Sequence, residues 1–240
     1  MITQKFNTDY VRGLRFGIPI IFGFIPSAIA YAVIARQGGI SALETIAMSV
    51  FVFAGASQML AAGMYAQQAG ILIIVLATFI LNLRHVIMST CVINRIKNER
   101  MGIKLLSAFG VTDETFSIFS STPEDKCSTP FFLGLVTVAY TSWVTGTILG
   151  AFISDFLPAV ISASLGIALY ALFISLLVPN LLHNGKLTLL VLVTAICNTF
   201  LSKCMGSSWA LIVSTLVCAG LGTLFIDLNE KGQMNDHAKL

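Results

Sequence analysis

The feature that most restricts how this chain can fold is a series of apolar runs that carry almost no charge. Each run approaches the roughly 20 residues with which an α-helix crosses about 30 Å of hydrocarbon. The connections between them are short and leave no room for a soluble domain. The pattern predicts an all-α, polytopic membrane helix bundle of seven or eight segments. The segments are Gly17–Ala35, Leu43–Tyr65, Gly70–Ile93, Ile103–Ser121, Pro130–Ile153, Val160–Leu182, Leu187–Ser202 and Ser207–Ile226.

Composition supports the bilayer as the solvent of this chain. Hydrophobic residues make up 56% of the sequence and charged residues only 10%, whereas a soluble domain carries about 25% charged residues. The net charge is +3 and no long basic tract is present, so we expect no nucleic-acid partner. The five cysteines lack metal-ligand spacing, and we expect neither a metal nor a cofactor. One transmembrane domain is predicted over residues 1–226, followed by a polar tail over 227–240.

The first apolar segment is short and contains Pro19, Gly23 and Pro26. Proline removes a backbone donor and clashes with the preceding turn, so this segment is predicted to be broken. If the first segment dips into the membrane and returns, Arg36 lies on the cytoplasmic side. The basic cluster before the first segment and the basic cluster after the third segment then lie on that side as well, as the positive-inside rule favours. We therefore favour a re-entrant hairpin, and a tilted full crossing is the alternative.

A weak internal repeat relates two parts of the chain. Thr78 and Asn82 recur at the same spacing as Thr194 and Asn198, each pair late in an aliphatic segment. The repeats that this correspondence suggests cover about residues 12–97 and 130–205. With a re-entrant first segment the two repeats would have opposite orientations, an arrangement that is typical of transporters.

Polar side chains within the third and fourth segments are the strongest functional signal, because ionisable groups in a bilayer are costly. Asn82 and His85 share one helical face, whereas Arg84 points elsewhere and needs an anion. Asp113 or Glu114 is the expected partner. The alternatives are that Arg84 and His85 extend to the interface, and that the carboxylates form a purely structural ion pair or lie on an interfacial helix.

Four motifs carry a family resemblance: GFIPSAIA at residues 23–30, FAGASQ at 53–58, NLRH at 82–85 and TDETF at 112–116. In this order and spacing they resemble the AzlC family of branched-chain amino acid permeases. The resemblance implies a secondary carrier that exports valine, leucine and isoleucine, and sometimes methionine, with a small membrane partner of the AzlD type. Val86-Ile87-Met88 departs from the aromatic residue common after NLRH.

A mechanism can be built from the residues themselves. A broken helix end at Gly23–Pro26 would bind the substrate carboxylate through free N–H groups, and neutral hydrogen bonds would come from Gln58, whose amide needs partners in lipid. One acidic residue would hold the ammonium or a coupling proton. The candidate substrate-binding residues are Gly23, Pro26, Gln58, Asn82 and His85; the coupling or ion-pair residues are Arg84, Asp113 and Glu114; the repeat equivalent is Asn198.

We therefore predict a multi-pass protein of the bacterial inner membrane that exports branched-chain amino acids, coupled to protons. Two other functions would use similar polar faces: a channel-like facilitator, and a non-transporting membrane subunit for another small polar solute. An enzyme is not expected, because the sequence has no hydrolase elbow and no metal motif.

Overall fold

The computed structural model of the chain describes residues 2–96, 99–156, 174, 177, 178, 181, 182, 185–205 and 207–225. No strand occurs among these residues, and the predicted all-α architecture is confirmed. The chain divides into two compact units, Met1–Ala171 and Leu172–Leu240. The helices of the first unit are α1 (Ile2–Gln37), α2 (Ala42–Val52), α3 (Gly55–Ala66), α4 (Ile71–Arg95), α5 (Met101–Phe109), α6 (Asp113–Ser121) and α7 (Thr129–Ile153); those of the second are α8 (Gly185–Cys204) and α9 (Ser207–Phe225).

Four helical stretches among the described residues are long and apolar enough to cross a membrane. They are Phe6–Gln37, Ile71–Arg95, Thr129–Phe156 and Gly185–Cys204. The prediction of a polytopic helical membrane protein is thus confirmed. Apart from residues 174, 177, 178, 181 and 182, the sixth predicted segment (Val160–Leu182) lies outside the described residues, as does the polar tail from residue 227.

The first segment is a continuous helix, so the predicted break and re-entrant hairpin at Pro19 and Pro26 are wrong. Both prolines lie inside α1, which spans 36 residues. Each proline removes only one backbone hydrogen bond, and neighbouring helices make this tolerable in membrane segments. Here the neighbour is α7, whose Gly146 and Gly150 lie against the α1 backbone. A Cβ atom on Gly150 would lie 2.8 Å from the Ile29 carbonyl oxygen.

The α1 and α7 helices run parallel, which contradicts the predicted inversion of residues 12–97 against 130–205. Because these two helices occupy equivalent places in the proposed repeats, inverted repeats would make them antiparallel. Close contacts instead advance in the same direction along both helices. The contacting pairs are Gly13 with Gly134, Gly17 with Val138, Ala28 with Gly146 and Ala32 with Gly150. The sequence repeat itself, without inversion, stays a prediction.

The second apolar segment forms a helical hairpin. Helix α2 begins at a capping box in which Ser41 and Glu44 bind each other's backbone N–H groups, and it ends at Phe53, whose φ of 35° lies in the left-handed region. Helix α3 then returns toward the end of α1, where a Cβ atom on Gly38 would lie 3.1 Å from the Ala66 Cβ. Residues 42–66 therefore enter and leave at the same face.

The fourth apolar segment forms a second hairpin. Arg95, at the end of α4, donates to the Phe119 carbonyl in the last turn of α6 at 3.1 Å, so α6 ends where α5 begins. The reversal lies at Gly110–Thr112, where Thr112 caps α6 through its side chain. A larger residue at position 110 would force Val136 to shift, because an added Cβ atom would overlap the methyl groups of that side chain.

These contacts fix the order of crossings in the first unit. Helix α1 runs from one face to the other, α4 returns, and α7 crosses again, while each hairpin enters and leaves at one face. Arg12 donates to the Lys126 carbonyl in the connection between α6 and α7, and Arg95 donates to the Phe119 carbonyl in the last turn of α6. The basic residues near the start of α1 and the end of α4 therefore share one face, which the positive-inside rule assigns to the cytoplasm.

An inverted pair of another kind is present within this unit. Helices α3 and α6 begin at Gly55 and Asp113, and α4 and α7 begin at Ile71 and Thr129. Both pairs are separated by the same interval of 58 residues (113 − 55 and 129 − 71). Each hairpin is thus followed by a 25-residue crossing helix. Since the hairpins enter from opposite faces and the crossing helices run in opposite directions, the two halves are inverted.

Candidate functional site

The polar face of α4 reaches the innermost turn of both hairpins. Asn82 donates from Nδ2 to the Ser57 Oγ at 3.1 Å, in the first turn of α3. Arg84 lies two residues further along, and its Nη2 is 2.9 Å from Oδ2 of Asp113 in the first turn of α6. The helical rotation between the two side chains directs them to different hairpins. The expected ion pair is therefore formed, and Asp113 is the partner.

The ion pair between Arg84 and Asp113 is half-buried. The side chains are 33% and 27% exposed, so the pair is open on one side. Glu114 follows Asp113 in the same first turn, where negative charge is favoured by the helix dipole. The helix dipole therefore stabilises both carboxylates at the start of α6, apart from any role in transport. A charged pair with open surface requires a polar environment inside a membrane.

Three buried polar atoms in one turn of α4 have no hydrogen-bond partner among the described residues. They are the side-chain oxygen of Asn82, Nε of Arg84 and Nδ1 of His85. Buried polar atoms in folded proteins almost always have a partner, which is protein, water or ligand. Three such atoms in one turn make this part of α4 the candidate site for a polar solute.

Gln58 does not face this open region. Its side chain is 1% exposed and is occupied by the chain itself. Oε1 accepts from the Ala54 N–H at 3.3 Å and from Trp143 Nε1 at 3.0 Å. Nε2 donates to Ser49 Oγ at 3.0 Å, and Ser49 in turn bonds Thr147 at 2.8 Å. The amide thus fastens the reversal of the first hairpin to α7, and a direct substrate contact by Gln58 stays a prediction.

The two hairpin reversals meet beside the middle of α7. The ring centroids of Phe53 and Phe109 are 6.1 Å apart, and each ring also contacts Tyr140, at 5.2 and 5.9 Å. The Tyr140 hydroxyl donates to the Val50 carbonyl at 2.9 Å, which satisfies an end group of α2. An aromatic cluster therefore lies between the two hairpin reversals.

The remaining candidate residues are Gly23, Pro26 and Asn198. Gly23 and Pro26 are exposed on α1, and because α1 is continuous the proposed free helix end at these residues is wrong. Their contact with substrate stays a prediction. Asn198 belongs to the second unit, where its Oδ1 accepts from Ser214 Oγ at 3.3 Å. It lines an apolar groove of about 400 Å³ between α8 and α9.

Sequence reasoning missed the residues of α7 that hold the first hairpin. Tyr140, Trp143 and Thr147 follow a spacing of three and four residues and share one helical face. That spacing was a usable signal, because tyrosine and tryptophan need hydrogen-bond partners when they are buried. Their partners could not be read from the sequence, since they lie in the hairpin reversal roughly 90 residues earlier.

Comparison with known proteins covers this region well. The AzlC protein family profile matches residues 19–157, which include both hairpins and the ion pair. The chain is 36% identical over 172 residues to an uncharacterized membrane protein of Archaeoglobus fulgidus, covering 71% of this chain and 75% of the relative. It is 30% identical over 226 residues to the inner membrane protein YgaZ of Escherichia coli, covering 91% of each.

A third relative is the branched-chain amino acid transport protein AzlC of Bacillus subtilis. It is 28% identical over 173 residues, which cover 70% of this chain and 66% of the relative. No solved structure matches the chain. The arrangement of hairpins and crossing helices therefore rests on the contacts described above.

Proposed function

The chain belongs to the AzlC family, as its four motifs indicated, and from this premise we propose that it exports branched-chain amino acids. The proposed substrates are valine, leucine and isoleucine, and methionine is a further candidate. The similarity to a branched-chain amino acid transport protein supports the substrate class. The similarity to an inner membrane protein supports a location in the bacterial inner membrane.

The observation that carries this proposal is the group of unpartnered polar atoms on Asn82, Arg84 and His85. They lie next to the Arg84–Asp113 ion pair, between two hairpins that enter from opposite faces. An amino acid needs one contact for its carboxylate, one for its ammonium and an apolar region for its side chain. The ion pair offers the two charged contacts, and we propose that the aromatic cluster of Phe53, Phe109 and Tyr140 supplies the apolar region.

A carrier is favoured over a channel by the way the hairpins are closed. The buried bonds of Gln58 close the first hairpin against α7, and the ion pair fastens the second hairpin to α4. Each closure faces a different side of the membrane. A solute between them would leave through one side at a time, which is the requirement for alternating access.

Coupling to protons is part of the proposal. Asp113, Glu114 and His85 place three titratable groups around the guanidinium of Arg84, so a proton exchanged with the bulk could accompany the solute. We further propose a small membrane partner of the AzlD type, which would complete the transporter in the bilayer.

The test is counterflow of labelled L-valine in proteoliposomes that contain the purified chain, with and without the AzlD-type partner. Excess unlabelled valine inside should drive transient accumulation of label, and an imposed pH gradient should change its extent. Empty liposomes and liposomes with labelled alanine are the controls. Uptake that only equilibrates, without counterflow, would identify a channel. Absence of valine flux in both preparations would refute the substrate.

A further inference from the structure

We propose that the amino acid inserts into the Arg84–Asp113 ion pair, with its carboxylate on the guanidinium of Arg84 and its ammonium on the carboxylate of Asp113. The inference rests on the proposed transport function and assigns its binding site. The ligand class is a zwitterionic α-amino acid with an uncharged side chain. The ion pair of the empty protein and the substrate-bound state are then alternative ways of neutralising the same two residues.

The Arg84–Asp113 ion pair leaves hydrogen-bond donors of Arg84 for such a ligand. The close contact joins Nη2 of Arg84 to Oδ2 of Asp113 at 2.9 Å, whereas Nε of Arg84 is buried and has no acceptor among the described residues. A guanidinium carries five N–H donors and binds carboxylates best through two parallel bonds. A substrate carboxylate that reaches Nε and Nη2 together would gain a bond that Asp113 does not make here.

The residues beside the pair strengthen this assignment. His85 Nδ1 and the Asn82 side-chain oxygen are buried and unpartnered in the same helical turn as Arg84. The Asn82 oxygen accepts hydrogen bonds and suits an ammonium, while a protonated Nδ1 of His85 suits a carboxylate. Hydrogen-bonding capacity of both kinds is thus left open in the turn of α4 that carries Arg84.

Charge balance explains why a zwitterion fits and a simple ion does not. An amino acid placed between Arg84 and Asp113 leaves every charge paired, because its two ends replace the two partners that separate. A lone cation or anion would pair with one residue and leave the other as a half-buried charge without a partner, which is unfavourable. Binding also removes the direct tie between α4 and the reversal of the second hairpin.

The first experiment measures binding to the wild-type chain, reconstituted with its partner, using three probes of similar shape. L-valine carries both charges, L-valinamide carries only the ammonium, and isovalerate carries only the carboxylate. We expect both single-charge probes to bind about 100-fold more weakly or worse, because each leaves a buried polar group unpaired. If either probe competes with labelled valine as well as valine does, the assignment is overturned.

The second experiment removes the pair without leaving an unpaired charge. The double variant Arg84→Gln/Asp113→Asn should fold and bind valine at least about 100-fold more weakly. The matched control is Arg36→Gln/Asp155→Asn, which neutralises a pair of similar length, 2.8 Å, at the end of α1 and should bind valine like the wild type. Valine binding by the first double variant within about threefold of the wild type would overturn the assignment.

The two proposals fail in different ways. A wild-type protein that binds no branched-chain amino acid but binds another zwitterion, such as serine, would refute the proposed substrate and support the site. A wild-type protein that transports valine while the probes show no need for both charges would support the function and refute the site. The probe series needs no variant, so it decides the question even if the neutral double variant does not fold.

Discussion

Replacing Gln58 with Met should destabilise the first hairpin without creating a cavity, because the two side chains have similar volumes. The amide makes bonds to the Ala54 N–H, the Trp143 indole N–H and the Ser49 hydroxyl, at 3.3, 3.0 and 3.0 Å. Side-chain hydrogen bonds in membrane proteins contribute about 0.6 kcal/mol each on average. The three bonds together therefore contribute about 2 kcal/mol.

The loss is larger where a donor stays buried without a partner. The Trp143 side chain is 3% exposed and Ala54 is 8% exposed, and each unsatisfied buried group costs about 1–3 kcal/mol. We therefore expect the free energy of unfolding of Gln58→Met to fall by about 2–5 kcal/mol. The measurement is equilibrium unfolding of the purified protein by SDS in mixed micelles. Gln67→Met is the control, because Gln67 is exposed at the end of the same helix.

A double-mutant cycle with Trp143→Phe tests the cause of this loss. If the indole N–H bond contributes as argued, the two substitutions together should cost less than the sum of the single losses, by about 0.5–1.5 kcal/mol. An unfolding free energy of Gln58→Met within about 0.5 kcal/mol of the Gln67→Met control would refute the argument. Gln58 would then be free to contact substrate, as its sequence context first indicated.

Two further predictions concern topology and packing. Single cysteines are placed at Thr8, Gln37 and Gln67 in a cysteine-free background and labelled with an impermeant thiol reagent. The cysteines at Gln37 and Gln67 should react from one side of the membrane, and the cysteine at Thr8 only from the other side. If Thr8 and Gln37 react from the same side, the first segment is re-entrant after all. Gly150→Ala should lower the free energy of unfolding by about 1–3 kcal/mol, because its Cβ atom would meet the α1 backbone. Gly63→Ala, with open space around it, should leave that energy unchanged or raise it, and equal losses for the two would contradict this packing.

The sequence alone determined the solvent, the helical class and the two candidate partners of the charge on Arg84. Apolar runs of membrane length allow few structures other than helices, because backbone groups in lipid must bond within their own segment. Arg84 and the carboxylates at 113 and 114 were expected to meet for an equally general reason, since an isolated charge is costly in a bilayer. Neither conclusion depended on how the helices pack.

Only the tertiary structure decided where the chain reverses. A crossing helix and a pair of half-helices that enter and return have similar apolar length, so hydropathy cannot separate them. The prolines of α1 suggested a break, but packing against α7 keeps that helix continuous. The reversal at Phe53 depends instead on the hydrogen bond between Gln58 and Trp143, which are 85 residues apart. Reversal points are fixed by such long-range bonds, because the cost of interrupting a helix in lipid is offset by partners that the local sequence does not contain.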